Sequence, residues 1–171
     1  MQLIEPNVQL KAAFNRFYQD FLRWEPANAG YYAKGSDDFS GYIQQLAAEA
    51  KGERLQPEQV PCNHYWLVDQ ENIVGAIRLR HHIDTPYLNW EGGHIGYDVA
   101  PSQRNQGYAT AMLRLVLEQA KVKGFERVLL VAEERNTASC KVIEANGGKL
   151  EAVIVGRDDP EPLVRYWISL I

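Results

Sequence analysis

Residues 93–131 constrain the fold most, because an extended segment, a polar glycine-containing loop, an amphipathic stretch and a continuous apolar run follow one another there. Ala109, Met112, Leu113, Val116, Leu117 and Ala120 recur at helical spacing, and Lys121, Lys123 and Gly124 close the stretch, as cations and a left-handed glycine close a helix C-terminus. Val128-Leu129-Leu130-Val131 then reads as a strand buried on both faces, the usual partner of a crossover helix. The segment is a βαβ unit and predicts an α/β chain. At the front of its helix, Arg104-Asn105-Gln106-Gly107-Tyr108-Ala109 gathers backbone N–H groups where unpaired donors and the positive dipole end favour an anion. Without a Cβ, Gly107 lets the main chain bend there and lie close to a pyrophosphate.

A second helix start follows. Asn136 caps a short helix that ends in Asn146-Gly147-Gly148, a polar residue opening it and a glycine closing it. Before the βαβ unit, Asn7 begins a helix with an apolar face of Leu10, Phe14, Phe17, Tyr18, Phe21 and Leu22. Another helix carries Phe39, Tyr42, Ile43, Leu46, Ala47 and Ala50, with Ser36 or Asp37 as its cap and Gly52 as its stop. The pattern then turns to strands at 65–68 and 73–80 around the hairpin turn 69–72, and a loop over 82–92 leads to a strand over 93–99. Two more strands, 149–155 and 164–170, flank Asp158-Asp159-Pro160-Glu161-Pro162, which cannot itself be strand.

At 171 residues and 46% apolar content the chain fits one domain with a real core. Its formal net charge of −4 argues against a nucleic-acid or anionic-membrane surface and is compatible with a cationic or amine-bearing ligand. Cys62 and Cys140 have no CxxC or zinc-ligand spacing, so no metal is expected and a reducing compartment follows. The first residues lack a signal peptide's basic start and apolar core, and no run reaches the roughly 20 residues of a membrane span, so a cytoplasmic location is expected.

Arg-x-x-Gly-x-Ala at 104–109, preceded by Val-x-Pro at 99–101, resembles the acyl-CoA pyrophosphate loop of the GNAT superfamily of N-acetyltransferases. Asn136-x-x-Ser139 with its short helix and glycine ending resembles that family's second cofactor element. Gly92-Gly93-His94-Ile95-Gly96-Tyr97 and Lys141-Val142-Ile143-Glu144 are similar to a bacterial group of small predicted acetyltransferases. The element order β-α-α-β-β-β-α-β-α-β-β is the GNAT order, so the resemblance spans 1–171 as one domain. It implies a layered α/β GNAT acyl-CoA N-acyltransferase fold, a mixed central sheet of about seven strands with helices on both faces.

The resemblance further implies acetyl-CoA as co-substrate and direct acetyl transfer to a primary amine of a small molecule or peptide. Val99 would hold the pantetheine arm through its main chain, Arg104, Asn105, Gln106, Gly107, Tyr108 and Ala109 the pyrophosphate, and Asn136 with Ser139 the pantetheine. The tyrosine that many GNAT enzymes present to the thioester sulfur is Ile143 here. Tyr97, Tyr166 or water would then have to protonate the thiolate, or a tyrosine restored at 143 would do so; alternatively Tyr97 is a core or rim aromatic. Glu91 and His94, at the start of the strand beside the thioester, are the candidate general bases; the alternatives are a solvated loop charge and a hydrogen-bonded structural histidine. Arg78 and Arg80 share a strand face and either contact an acidic acceptor or CoA phosphates, or are half-exposed strand arginines. A non-catalytic acyl-CoA sensor and an acetyltransferase for protein N-termini or lysines are the rival functions. The sequence does not choose between monomer and homodimer.

Overall fold

The computed structural model describes residues 1–157 and 160–171. Its strands follow the alternation of apolar side chains and collect into two antiparallel sheets. One has the order β1 (Gln2–Ile4), β2 (Cys62–Asp69), β3 (Asn72–Arg80) and β4 (Ile95–Val99). The other has the order β5 (Arg127–Glu133), β7 (Pro162–Ser169) and β6 (Lys149–Val155). Among the described residues the expected single mixed sheet is thus corrected to a four-stranded and a three-stranded sheet, which together hold the expected seven or so strands.

What joins the sheets sits just before β4. His94 N–H donates to the Leu129 carbonyl at 2.8 Å, and the Leu129 N–H donates to His94 Nδ1 at 2.9 Å. Gly93 lets the chains meet, since its φ is +66° and a Cβ there would lie 2.7 Å from the Leu129 oxygen. Beyond this staple no ladder joins β4 to β5 among the described residues, so Tyr97 and Val99 are free to face a cleft.

Helices cover both faces. The first apolar stripe forms α1 (Lys11–Trp24), and Asn7 caps the 3-10 turn that leads into it. Two short helices, α2 (Pro26–Ala29) and α3 (Ala33–Asp37), fill the interval that the sequence pattern left irregular. Next comes α4 (Phe39–Ala50), capped by Asp38, whose carboxylate accepts the Gly41 N–H at 3.0 Å. The expected caps Ser36 and Asp37 belong instead to the end of α3. This layer packs Phe14, Phe17, Phe21 and Tyr32 on Trp66 and Ala76. Phe14 is central, its ring meeting those of Phe17, Tyr32, Phe39, Tyr42 and Trp66; truncating such a residue to alanine costs about 3–5 kcal/mol.

On the opposite face lies α5 (Tyr108–Val122), whose Met112, Leu113, Val116 and Ala120 are fully buried. They pack against Leu67, Val74 and Ile77 of the first sheet and Val128, Leu130 and Ile168 of the second, so one helix locks the two sheets together. After β5 comes α6 (Thr137–Ala145). The 82–92 loop contains a π-helical turn, Leu88–Gly92, and its strand begins at Ile95 rather than 93. The last strand begins at Pro162, a proline at a strand's first position; the irregular segment expected over 158–162 keeps only 160 and 161, residues 158 and 159 lying outside the described residues. No helix of the described residues is long and apolar enough to cross a membrane.

Candidate functional site

The site grows from the front of α5. Asn105 and Gly107 both adopt positive φ, +61° and +80°, and the intervening turn carries the chain from β4 into the helix. A Cβ on Gly107 would meet no protein atom within 4 Å, so its backbone angle, not packing, calls for glycine. No side chain caps α5, and the Ala111 N–H is the first to close back, onto the Gly107 carbonyl at 3.1 Å. The preceding amides of Tyr108, Ala109 and Thr110 are therefore helix N-terminal donors without a partner in the helix, and all three residues line the same cleft.

That cleft, of about 710 Å³, lies between the α5 start, β4 and the start of α6. Tyr97, Val99, Arg104, Asn105, Gly107, Tyr108, Ala109, Asn136 and Ser139 all line it, so nine of the residues named from sequence meet at one place. Gln106 is exposed and outside the wall. Several lining residues do different work from that expected. The Arg104 guanidinium is already engaged by the protein: it forks onto the Glu25 carboxylate, with one arm at 2.9 Å, and its Nε donates to the Val99 carbonyl at 3.2 Å. The Glu25 pair raises the Arg104 pKa and lowers that of Glu25. The Tyr108 phenol turns away and donates to Asp69 at 2.7 Å.

Across the cleft, the Asn136 side chain accepts the Ser139 N–H at 3.1 Å and caps α6. The Tyr97 hydroxyl lies 2.7 Å from the Ser139 hydroxyl, joining β4 to α6. Burial pushes the Tyr97 phenol up to about 12, although its bond to Ser139 works the other way, so it remains protonated at neutral pH.

Glu91 and His94 are not part of this wall. Glu91 accepts the Arg157 N–H at 3.1 Å from within the π-helical turn. His94 is only 8% exposed, packs edge-on against Phe125 and Trp167, and spends Nδ1 on the Leu129 amide. Burial, reinforced by Arg80, depresses its pKa from 6.5 to about 4. The expectation of a histidine at the cleft mouth is corrected to one stapling the sheets. Ile143 is 1% exposed and faces the core, as does Tyr166, whose hydroxyl donates to Glu144 at 2.9 Å.

Of the lining residues that the sequence did not mark as site residues, the charged ones are Asp98, Lys141 and Glu25. Asp98 Oδ2 accepts from the Tyr32 hydroxyl at 2.7 Å and pairs with Arg78 at 3.2 Å. Lys141 carries the one cleft cation without a carboxylate within 4 Å among the described residues. Its signal was present, since Ala138, Lys141 and Val142 stand at i, i+3 and i+4 from the start of a capped helix. Among the described residues no group of three His, Cys, Asp or Glu could hold a metal ion.

Residues 10–149 match the acetyltransferase (GNAT) domain. No curated protein sequence matches the chain. Among solved structures, the chain is similar to RimL, a ribosomal L7/L12 α-N-protein acetyltransferase in complex with coenzyme A, at TM-score 0.72 and 16% identity over 98% of this chain and 92% of that one. It is also similar to RimJ of Mycobacterium smegmatis in complex with CoA-disulfide, at TM-score 0.71 and 18% identity over 98% and 80%. A third is the microcin C7 self-immunity acetyltransferase MccE in complex with acetyl-CoA and AMP, at TM-score 0.66 and 17% identity over 98% and 91%. At these identities the likeness is one of fold.

Proposed function

Since the chain belongs to the GNAT acetyltransferase family, we propose that it moves acetyl directly from acetyl-CoA to a primary amine of a small molecule or peptide, using the cleft between α5, β4 and α6. The observation that carries this reading is the uncapped α5 N-terminus opening onto a cleft whose far wall holds the Tyr97–Ser139 pair. Unsatisfied amides at a helix start suit a pyrophosphate, and Lys141 adds a cation on the facing helix. Val99 offers main-chain groups, and Asn136 an amide, to the pantetheine arm. When bound, acetyl-CoA supplies an activated acyl carbon and a thiolate leaving group.

Tyr97 acts on that sulfur. An ordinary thiol titrates near 8.5, so full proton transfer from a phenol raised to about 12 would run uphill by about 5 kcal/mol. Tyr97 therefore donates a hydrogen bond to the departing thiolate without giving up its proton, and Ser139 holds the phenol in place. Asp98, the next residue on β4, spends Oδ2 on Tyr32 and Arg78 and orients the amine by accepting a hydrogen bond at Oδ1, the amine proton leaving to water.

The test is calorimetric titration of acetyl-CoA together with a panel of amines and peptides, reading free thiol. Tight binding with thiol release by at least one amine is expected. Binding without release by any of them would make the chain an acyl-CoA-binding module, and no binding at all would overturn the cleft assignment.

A further inference from the structure

The two strand arginines singled out by sequence lie on the face of β3 that the α1–α4 layer covers, and they are not equivalent. Arg78 is neutralised: it pairs with Asp98 at 3.2 Å and its guanidinium stacks on Tyr31, 4.5 Å from the ring centre. Arg80 has no such partner. One of its terminal nitrogens, Nη1, donates to the Gly92 and Gly93 carbonyls at 3.3 and 3.0 Å. Among the described residues no carboxylate lies within 4 Å of it, its other nitrogens donate to no protein acceptor, and they are not sealed from solvent. Burial, reinforced by the Arg78 charge, holds its pKa below the ordinary value. A half-buried guanidinium in that position gains from an anion.

Arg80 does not itself line the cleft, and its relation to it runs through Asp98. Asp98 lines the cleft and pairs with Arg78, and Arg80 is two residues along the same strand face, about 7 Å further on. Gly96, opposite Arg78, has no side chain to intervene, and a Cβ there would lie 3.2 Å from Arg78 Nε. Tyr31 and Tyr87, both more than half exposed, flank this face within electrostatic range of Arg80.

We propose that Arg80 is an acceptor-specificity residue and that the favoured acceptor is an amine that also carries a carboxylate, which pairs with the Arg80 guanidinium while Asp98 faces the amine. This rests on the acetyl-transfer reading above. A carboxylate matches the guanidinium fork in shape as well as charge, and it comes either from a free amino acid or from an acidic residue near a peptide N-terminus.

The experiment compares acetyl transfer to matched pairs: lysine with cadaverine, tyrosine with tyramine, and the amidated peptides Ser-Asp-Ala and Ser-Lys-Ala. The carboxylate-bearing member of at least one pair should have a kcat/KM about tenfold or more above its partner. Which pair shows it distinguishes the free amino acid from the peptide. R80Q should erase the difference through KM for the carboxylate member, leaving the partner's kinetics within about twofold, while R80K should keep part of it. Equal rates within every pair, preference for the amines lacking the carboxylate, or an R80Q loss shared by both members would overturn the inference. Should R80Q fail to fold because Gly92 and Gly93 lose their donor, R80K decides: the preference present in the wild type must fall in R80K, and an unchanged preference there would overturn the inference. Absence of any amine turnover would instead overturn acetyl transfer itself, and this inference with it.

Discussion

His94 offers the sharpest separation between a structural and a chemical role. Its ring lies between Phe125 and Trp167, 8% exposed, with Nδ1 accepting the Leu129 amide. Burial of the charged form, reinforced by Arg80, lowers its pKa from 6.5 to about 4, and protonation would also destroy that acceptor. The sign follows from proton binding: between these values the unfolded chain takes up a proton that the folded chain refuses, so acidification favours unfolding. Stability contributed by the neutral ring is intact above pH 6.5 and drains away as pH falls to about 4, a loss of about 3 kcal/mol. Glu25, Glu49 and Glu151, whose pKa values are lowered by their partners, lose their contributions at still lower pH, so the window above pH 4.5 belongs to the two histidines that burial depresses, His94 with the larger shift and the less buried His81. Urea unfolding at pH 7, 5.5 and 4.5 measures it. His94→Asn keeps an acceptor where Nδ1 stands and cannot titrate; it should lower stability at pH 7 by about 1–2 kcal/mol through lost ring packing but flatten the acid slope. Its kcat/KM should keep the wild-type pH profile. A slope undiminished in His94→Asn, or a kinetic limb near pH 6.5 that vanishes without a change in stability, would refute the staple and restore His94 as a base.

Gly107→Val should weaken acetyl-CoA binding by at least about tenfold, or about 1.4 kcal/mol, by placing a β-branched side chain at a φ of +80° on the cleft wall; unchanged affinity by calorimetry in a folded variant would remove the loop from the site. Asn136→Ala should cost about 1 kcal/mol of stability and also raise the KM for acetyl-CoA, whereas a loss of stability with KM unchanged would leave Asn136 as a helix cap only. Tyr97→Phe should lower kcat about tenfold with the KM for acetyl-CoA little changed, as expected for a hydrogen bond that matters when sulfur departs; equal kcat values would exclude the phenol from the chemistry.

The placing of the α5 and α6 helix starts on one cleft was legible because their signals are local. The Asn136 cap acts on Ser139 three residues away, and the positive φ of Gly107 is announced by the residue itself. What bears on the acceptor side was not, because it depends on pairing across the fold. Gly93-His94 before a strand reads equally well as a cleft mouth or a sheet staple, and only Leu129, 35 residues away, decides between them. The Tyr97–Ser139 contact spans 42 residues, and nothing in either neighbourhood announces it. Period-two spacing correctly put Arg78 and Arg80 on one face; that Asp98 neutralises the first and not the second depends on β4 pairing Asp98 with Ala76. The apolar alternation of residues 93–99 likewise records which side chains face inward, and carries no information on where the neighbouring strand stops pairing, so one sheet and two sheets look alike in sequence.

The same limit governs Ile143, the position where family resemblance expects a tyrosine. From sequence, Ile143→Tyr would supply a missing acid and raise kcat. The helix geometry opposes this. On α6 the residues that line the cleft are 137–139, Lys141 and Val142, while Ile143 turns into the core at 1% exposure. Its Cγ2 stands 2.5 Å from where a Cβ on Gly148 would be, so the chain closing α6 is already packed against it. A phenol there adds bulk and a hydroxyl to a filled interior, costing about 1–3 kcal/mol of overpacking and more if the hydroxyl finds no partner. Ile143→Tyr should therefore unfold earlier in urea and leave kcat no higher than wild type, because in the proposed mechanism the phenol that serves the sulfur is that of Tyr97 on β4. An Ile143→Tyr variant of undiminished stability and raised kcat would show that the side chain can swing into the cleft, and would return the acid to α6.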